Sequence, residues 1–330
     1  MRIFFILLFC FLTLVAEEDS YELGEGVQIA NFPLYLGGYS SLQYQNRKDI
    51  ENYSIDDLAL LGYGSYDKFS YMIELEYKRL YVKTYTNSGK FTTKDTRLHT
   101  ERLYVDYNYD QNFMVRVGKY NSPIGYWNLL PINVLRETTS NPQSTLIVFP
   151  KLTTGADLSY SSYKEGEIKF DLLIQRNEDI DDEYNNYRHD RHYGLGVSFE
   201  KDCYSFKINT GYFRQVETSL VNNDRYYVML SGKYESEKIQ VMGELGYQKA
   251  NHITTTPYAG YLQTAYRFTE QHIGTLRLEA FKDNVAKTND EVSIFAYTYR
   301  PSYPIAIKSE YQLHSLHNED QFLFSLSVLF

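Results

Sequence analysis

Charged side chains recur at alternate positions through much of this 330-residue chain. Alternate residues of an extended chain share a face, so these side chains would form a charged wall beside water and influence which ions come near it. We predict that they line a water-filled interior. The cations are Lys78, Arg102, Arg116, Lys119, Lys169, Lys207, Lys233, Arg267, Arg277 and Lys308, and the anions are Glu74, Glu76, Asp106, Asp171, Glu244, Glu279 and Glu310.

Motifs for covalent chemistry are missing from the sequence. It has no Gly-rich loop ending in Lys-Ser/Thr and no Gly-x-Ser-x-Gly turn, which indicates that the protein is not an enzyme. The acidic segment 177–183, followed by His189 and His192, could bind a divalent cation through its carboxylates. A solvated acidic loop is the favoured interpretation, and we predict no metal and no cofactor.

The elements that carry the charged residues are predicted to be antiparallel strands. Period-2 alternation of apolar and polar residues indicates sixteen of them from residue 34 onward, with fourteen or eighteen as alternatives. The predicted strands are 34–45, 55–64, 69–85, 98–109, 113–119, 152–162, 167–176, 192–200, 204–216, 225–235, 238–249, 257–269, 272–283, 291–300, 304–314 and 320–330.

The predicted connections alternate between tight turns and longer polar loops. Asp110-Gln111-Asn112 is a tight turn, whereas segments 86–97 and 177–191 are long. Tight turns at one end and longer loops at the other are typical of an antiparallel outer-membrane barrel. The apolar phase of each strand would then face lipid, although a soluble sandwich would show the same periodicity.

The N-terminus favours the membrane interpretation. Met1-Arg2 precedes an apolar run from Ile3 to Val15, which is too short to span a bilayer, and Ala16 is followed by acids. We predict a signal peptide over residues 1–16, a short periplasmic segment over 17–33 and a transmembrane barrel over 34–330. The outer membrane of a Gram-negative cell is the predicted location.

Composition excludes several other classes. Aromatic residues make up 16% of the chain, which argues against disorder, and the net charge of −9 argues against a nucleic-acid partner. Two cysteines, one of them in the predicted signal peptide, cannot form a disulfide scaffold.

The C-terminal strand is aromatic on one face and stops on Phe330. It resembles the terminal strands by which the barrel-assembly machinery recognises outer-membrane barrels. The predicted partners are therefore that machinery, through Phe330, together with outer-membrane lipid and lipopolysaccharide.

The third long connection, about 119–150, is semi-apolar and holds the single Trp of the chain. An exposed apolar loop is unfavourable, so we predict that it folds inward and narrows the lumen. The residues predicted to form this constriction are Pro123, Gly125, Trp127, Arg136 and Glu137.

Arg116-Val117-Gly118-Lys119 followed by Pro123-Ile124-Gly125 resembles the phosphate-selective porin O/P family and related Gram-negative porins. The resemblance implies a sixteen-stranded homotrimeric diffusion channel in which the third loop forms the constriction. No ladder of basic residues stands out that would carry over the family's phosphate site.

Three functions follow as hypotheses. The favoured one is a porin for passive diffusion of small hydrophilic solutes or ions, because sixteen strands enclose an aqueous lumen. The alternatives are a substrate-specific channel or uptake receptor for an anion such as phosphate, and a structural or adhesive surface barrel. Arg102 and Arg116 either form an anion-facing wall or pair with lumen acids such as Asp106.

Overall fold

The computed structural model describes residues 23–29, 32–216, 223–251 and 253–330. The predicted signal peptide, residues 1–16, lies outside these ranges, as do residues 17–22, 30 and 31 of the predicted 17–33 segment. In the described residues no helix is both long and apolar enough to cross a membrane.

The chain forms one antiparallel sheet that closes on itself. In the described ranges it contains eighteen strands, of which Val27–Gln28 and Gly89–Thr93 are short additions to their neighbours. The other sixteen form the barrel, as predicted. They are β1 (Leu34–Arg47), β2 (Ile50–Tyr66), β3 (Phe69–Thr86), β4 (His99–Asn108), β5 (Phe113–Asn121), β6 (Leu152–Tyr163), β7 (Glu167–Gln175), β8 (His189–Lys201), β9 (Tyr204–Gln215), β10 (Asn223–Glu235), β11 (Ile239–Ala250), β12 (Ile253–Arg267), β13 (His272–Asp283), β14 (Thr288–Ser302), β15 (Ile305–His314) and β16 (Gln321–Leu329).

The barrel closes between its last and first strands. β16 pairs with β1 from Gln321 opposite Arg47 to Leu329 opposite Tyr39. Gly38 and Phe330 then exchange two backbone hydrogen bonds of 2.7 Å. Closure leaves the sheet without a free edge, which a spanning sheet requires because hydrocarbon cannot satisfy unpaired backbone groups.

One end of the barrel carries only tight turns, and we call it the tight-turn end. The other, the loop end, differs from the prediction at its first connection. Lys48-Asp49 is a two-residue turn, since the flanking strands extend further than their sequence alternation indicated. Lys48 has a φ of 39°, which suits a twisted two-residue hairpin. The long connections at this end are 87–98, 122–151 and 176–188.

The side chains are arranged inside out relative to a soluble sheet protein. Apolar residues of the predicted outward phase, such as Phe170 and Leu195, are exposed, whereas Asp171 and Glu244 are buried. A sandwich would bury the first set, so the structure decides between the two interpretations left open by periodicity. Aromatic pairs border the apolar band at both ends, for example Tyr204 with Tyr234 and Tyr44 with Tyr53.

We expect a cation on the outward face to destabilise the barrel strongly. Leu195 lies midway along β8 and is 59% exposed. Leu195→Arg should cost about 2–4 kcal/mol in free energy of unfolding, because the guanidinium would sit near the bilayer midplane. Reversible denaturation in lipid vesicles measures this cost, with Leu195→Met as the matched control. Equal stability of the two variants would contradict a lipid-facing position for residue 195.

Candidate functional site: the lumen and its inward-folded loops

The connection between β5 and β6, residues 122–151, enters the barrel, and we call it L3. It contains two 3-10 turns, Trp127–Leu129 and Asn133–Leu135, and one short helix, α1 (Gln143–Ile147). The predicted inward fold of the third loop is therefore confirmed.

Apolar side chains of L3 pack against inward-facing residues of the wall. Ile124, Val148 and Phe149 form a buried cluster with Phe213 and Tyr227. Trp127 packs edge-on against Tyr261, with ring centroids 6.0 Å apart, and Ile132 and Val134 contact Tyr39 and Ala59 on the opposite side. L3 therefore crosses the lumen and reaches the wall on both sides.

Gly125 marks the sharpest approach of L3 to the wall. Its φ is +68°, and a Cβ at this position would lie 2.5 Å from a carboxylate oxygen of Glu244. That carboxylate accepts hydrogen bonds from the backbone N–H groups of Tyr126, at 2.5 Å, and Trp127, at 3.0 Å. Asn209 completes the anchor by accepting from the Gly125 N–H at 3.1 Å. A glycine is required here because only its backbone can come this close.

Buried charges hold the middle of L3. The Arg277 guanidinium donates to Thr138 Oγ1 at 2.7 Å and to the Ser140 carbonyl at 3.1 Å. Glu310 accepts from the backbone N–H groups of Thr139 and Ser140, and the Lys308 ammonium donates to Asn133 Oδ1 at 2.8 Å. These wall residues were predicted to line the pore, but Arg277 and Lys308 are 0% exposed because L3 covers them.

L3 leaves a cavity of about 420 Å³ between itself and the wall. From L3, Trp127, Arg136 and Lys151 border this cavity. The charged wall residues around it are Asp56, Asp57, Glu76, Lys78, Arg79, Glu101 and Glu279.

The acids on β3 and β4 share a small number of hydroxyl donors. Tyr39 OH donates to Glu74 at 2.8 Å and lies 3.3 Å from Glu101. Tyr184 OH lies 3.0 Å from Glu101 and also hydrogen-bonds Glu76. Since the carboxylates outnumber these phenolic protons, the cluster keeps acceptor capacity facing the cavity.

The connection between β7 and β8, residues 176–188, is a second inward loop, which we call L4. The interpretation of its acidic segment as a solvated loop is wrong for several of these acids. Asp181 pairs with His99 at 3.0 Å, Asp179 lies 3.4 Å from the Lys119 ammonium, and Asp182 contacts Arg188 at 2.5 Å. These contacts direct Tyr184 into the acidic cluster described above, so L4 also narrows the lumen.

The two histidines after L4 are buried among neutral partners. His192 contacts Thr153 Oγ1 and Tyr227 OH, both at 2.9 Å, and His189 contacts Gln175 Oε1 at 3.0 Å. No three His, Cys, Asp or Glu side chains in the described part of the chain are grouped so that they could hold a metal ion.

Arg102 and Arg116 pair with acids on the wall. Arg116 forms a bidentate contact with Asp106, at 2.6 and 2.8 Å, and Arg102 hydrogen-bonds Glu74. Of the two interpretations left open, the geometry shows the pairing one, and neither arginine borders the cavity.

The other predicted pore-lining residues lie at different heights along the barrel. Toward the tight-turn end, Lys169 pairs with Asp171 at 2.9 Å, while Lys233 and Arg267 both contact Glu235. Lys207, Glu244 and Glu279 are buried inside the barrel, and Lys78 is exposed into the cavity. Among the predicted constriction residues, Trp127 and Arg136 border the cavity, whereas Pro123 and Gly125 anchor L3 and Glu137 lies 3.6 Å from Arg300.

Sequence reasoning missed several residues that border the cavity, among them Asp56, Asp57, Arg79, Glu101, Lys151 and Tyr184. β-bulges explain the omission of two of them. Glu74 pairs with Arg102 and Leu75 with Thr100, which leaves Glu101 as the extra residue. On β2, Asp57 pairs with Ser41 and Ile55 with Leu42, which leaves Asp56. A bulge breaks the period-2 rule, so charges on both phases can turn inward.

Lys151, the last residue of L3, carries an ammonium group with a lowered pKa. Its burial and the nearby Lys78 lower the pKa of the Lys151 ammonium to about 8, with Arg136 adding to the shift and Glu101 and Glu76 opposing it. The group therefore changes charge close to neutral pH.

Solved structures share this architecture at low sequence identity. Salmonella typhi OmpF in complex with daunomycin aligns with a TM-score of 0.63 and 10% identity, over 92% of this chain and 100% of that chain. The barrel has the fold of the outer-membrane porins. An anion-selective porin from Comamonas acidovorans aligns at 0.62 with 12% identity, over 90% and 99%, and DcaP of Acinetobacter baumannii at 0.60 with 9% identity, over 93% and 100%.

Sequence comparison gives a shorter match. No family model matches the chain. An uncharacterized protein of Aquifex aeolicus (strain VF5) is 32% identical over 119 residues, which are 35% of this chain and 24% of that protein. The matched region thus spans about a quarter of the length of that relative.

Proposed function

We propose that the protein is an outer-membrane porin, a water-filled channel through which small hydrophilic solutes or ions diffuse passively. The observation that carries the proposal is a closed sixteen-stranded barrel in which L3 leaves a charged cavity of about 420 Å³. A barrel of this strand number is wide enough for an aqueous lumen. Non-enzymatic action is part of the proposal.

The remaining predictions belong to the same proposal. Residues 1–16 would direct export, and residues 17–33 would lie on the periplasmic side. Val27–Gln28 supports this placement, since it pairs with β1 near the tight-turn end. Lipid, lipopolysaccharide, the assembly machinery and two further copies in a homotrimer are the proposed partners.

A substrate-specific channel for an anion such as phosphate is the second candidate. The four cations at the cavity, Lys78, Arg79, Arg136 and Lys151, favour it, but Asp56, Asp57, Glu76 and Glu101 lie in the same space. An adhesive role gains no support from the first connection at the loop end, because Lys48-Asp49 is a two-residue turn.

Conductance of the purified protein in planar bilayers tests the proposal. We expect discrete steps of ion current. Absence of current after verified insertion into the bilayer would contradict a channel function. The reversal potential in a salt gradient should also depend on pH. Raising the pH from about 7 to about 9 deprotonates Lys151, removes a positive charge from L3 and shifts the preference toward cations.

Lys151→Arg is the matched control for this shift, since it keeps the positive charge at both pH values. The variant should lose most of the pH dependence of the reversal potential. The same shift in both proteins would assign the titration to another group.

A further inference from the structure

The cavity beside L3 holds opposite charges that do not neutralise each other. Arg136 and Lys151 come from the loop. The wall contributes an excess of acids, with Asp56, Asp57, Glu76, Glu101 and Glu279 against Lys78 and Arg79. Among the described residues, neither Arg136 nor Lys151 forms an ion pair with a carboxylate. The loop side of the cavity is thus positive and the wall side carries the excess negative charge.

The basic side is prepared for an anionic group. Arg136 is 7% exposed, and its Nη1 donates to Asn141. Its Nε is buried with no hydrogen-bond partner in the described residues. A buried donor without an acceptor is costly, so an incoming carboxylate oxygen would be stabilised there.

The acidic side is prepared for a donor of several hydrogen bonds. One phenolic proton of Tyr184 is shared between Glu76 and Glu101, and Tyr39 divides its proton between Glu74 and Glu101. Asp57 accepts from Ser41 Oγ at 2.9 Å. The Lys78 ammonium on the same wall donates to Tyr184 OH at 3.3 Å rather than to these carboxylates. A further primary ammonium would bring three donors and one positive charge, which the carboxylate oxygens can accept.

Resting on the proposed channel function, we propose that this cavity is a binding site for small zwitterions, in which Arg136 and Lys151 hold a carboxylate while Glu76, Glu101 and Asp57 hold an ammonium group. Short peptides with free termini are the chemical class that fits. A volume of about 420 Å³ accommodates a dipeptide.

Solutes with one charge match the cavity less well. A simple anion can bind Arg136 but is repelled by the wall acids. A simple cation can bind the wall acids but is repelled by Lys151. A molecule that carries both charges is attracted on both sides of the cavity. Specificity for zwitterions therefore arises from the separation of the basic loop residues from the acidic wall residues.

Three peptides of nearly equal size test the inference: Ala-Ala, N-acetyl-Ala-Ala and Ala-Ala-amide. Each is added to single channels in planar bilayers, and the concentration that halves the mean current is measured. We expect Ala-Ala to act at an about tenfold lower concentration than either capped peptide, the effect of one additional charged contact.

Two variants assign the ends of the peptide. Glu101→Gln should weaken the block by the two peptides with a free ammonium group, Ala-Ala and Ala-Ala-amide. Lys151→Gln should weaken the block by the two peptides with a free carboxylate, Ala-Ala and N-acetyl-Ala-Ala. Glu165→Gln and Lys164→Gln, in the exposed tight turn between β6 and β7, are matched controls that should leave all three values unchanged.

The outcomes separate the two proposals. Normal conductance with equal block by the three peptides, or with stronger block by a capped peptide, overturns the zwitterion site and leaves the channel intact. Absence of conductance before any peptide is added overturns the channel function itself. The comparison of peptides on the unmodified protein does not depend on the folding of any variant.

Discussion

Replacing L3 with a two-residue turn should increase single-channel conductance several-fold. Asn121 and Leu152, which flank the loop, are already register partners in the β5–β6 ladder. An Asn-Gly dipeptide in place of residues 122–151 can therefore join the two strands as a tight hairpin without moving them. The change removes Ile124, Val148 and Phe149 from the lumen and replaces them with water.

The expected gain in conductance depends on survival of the barrel. Arg277, Lys308 and Glu310 lose their partners on L3, but water can enter and solvate them, which limits the cost. Shortening the fully exposed hairpin at Gly89–Thr93 is the control, and its conductance should equal that of the unmodified protein. Unchanged conductance after loss of L3 would show that the loop does not limit the ion path.

Removing the Arg277 guanidinium should cost about 3–5 kcal/mol of stability, because Glu279 would then be a buried charge without its partner. Arg277 Nε lies 2.6 Å from Glu279 Oε1, and both side chains are almost fully enclosed. Arg277→Met keeps the volume of the side chain but also releases Thr138 and Ser140 of L3. We therefore expect lower resistance to denaturant and more frequent current fluctuations.

A second substitution separates these two effects. Arg277→Met combined with Glu279→Gln removes the unpaired charge, and the amide oxygen can still accept from the Gln143 N–H, now at 3.1 Å from the carboxylate. The double variant should recover part of the stability while its current stays noisy. If both variants were equally destabilised, the loss would come from the freed loop rather than from Glu279.

The strands were predictable from sequence because each has a single environment on each face. Ile168, Phe170 and Leu172 alternate with Lys169 and Asp171 without interruption, and β7 forms as expected. The strand ends departed from the prediction, as at Lys48, where β1 and β2 continue into a two-residue turn, and the short strands Val27–Gln28 and Gly89–Thr93 were not predicted. Polar residues near a rim alternate too weakly to show where a strand stops.

The site was less predictable because it depends on bulges and on contacts between distant segments. Strict alternation along β4 assigns Glu101 to the outward face, and only the extra residue in the strand places it inside the barrel. The acids of L4 look solvated in isolation, and their partners His99 and Lys119 lie far earlier in the sequence. Local pattern carries no information on such pairs, whereas the semi-apolar composition of L3 did indicate its burial.

The wall residues that bind L3 and those that line the cavity lie on different strands, which has an evolutionary consequence. Side chains on later strands bind L3: Glu244, Arg277, Lys308 and Glu310. Apart from Glu279 and the residues of L3 itself, the charged residues of the cavity belong to β2, β3 and β4. Mutations in those early hairpins can alter solute preference while the fastening of the loop persists. Divergent descendants of this barrel should therefore vary most in the first third of the chain, and a laboratory selection for new permeants would find its productive substitutions there.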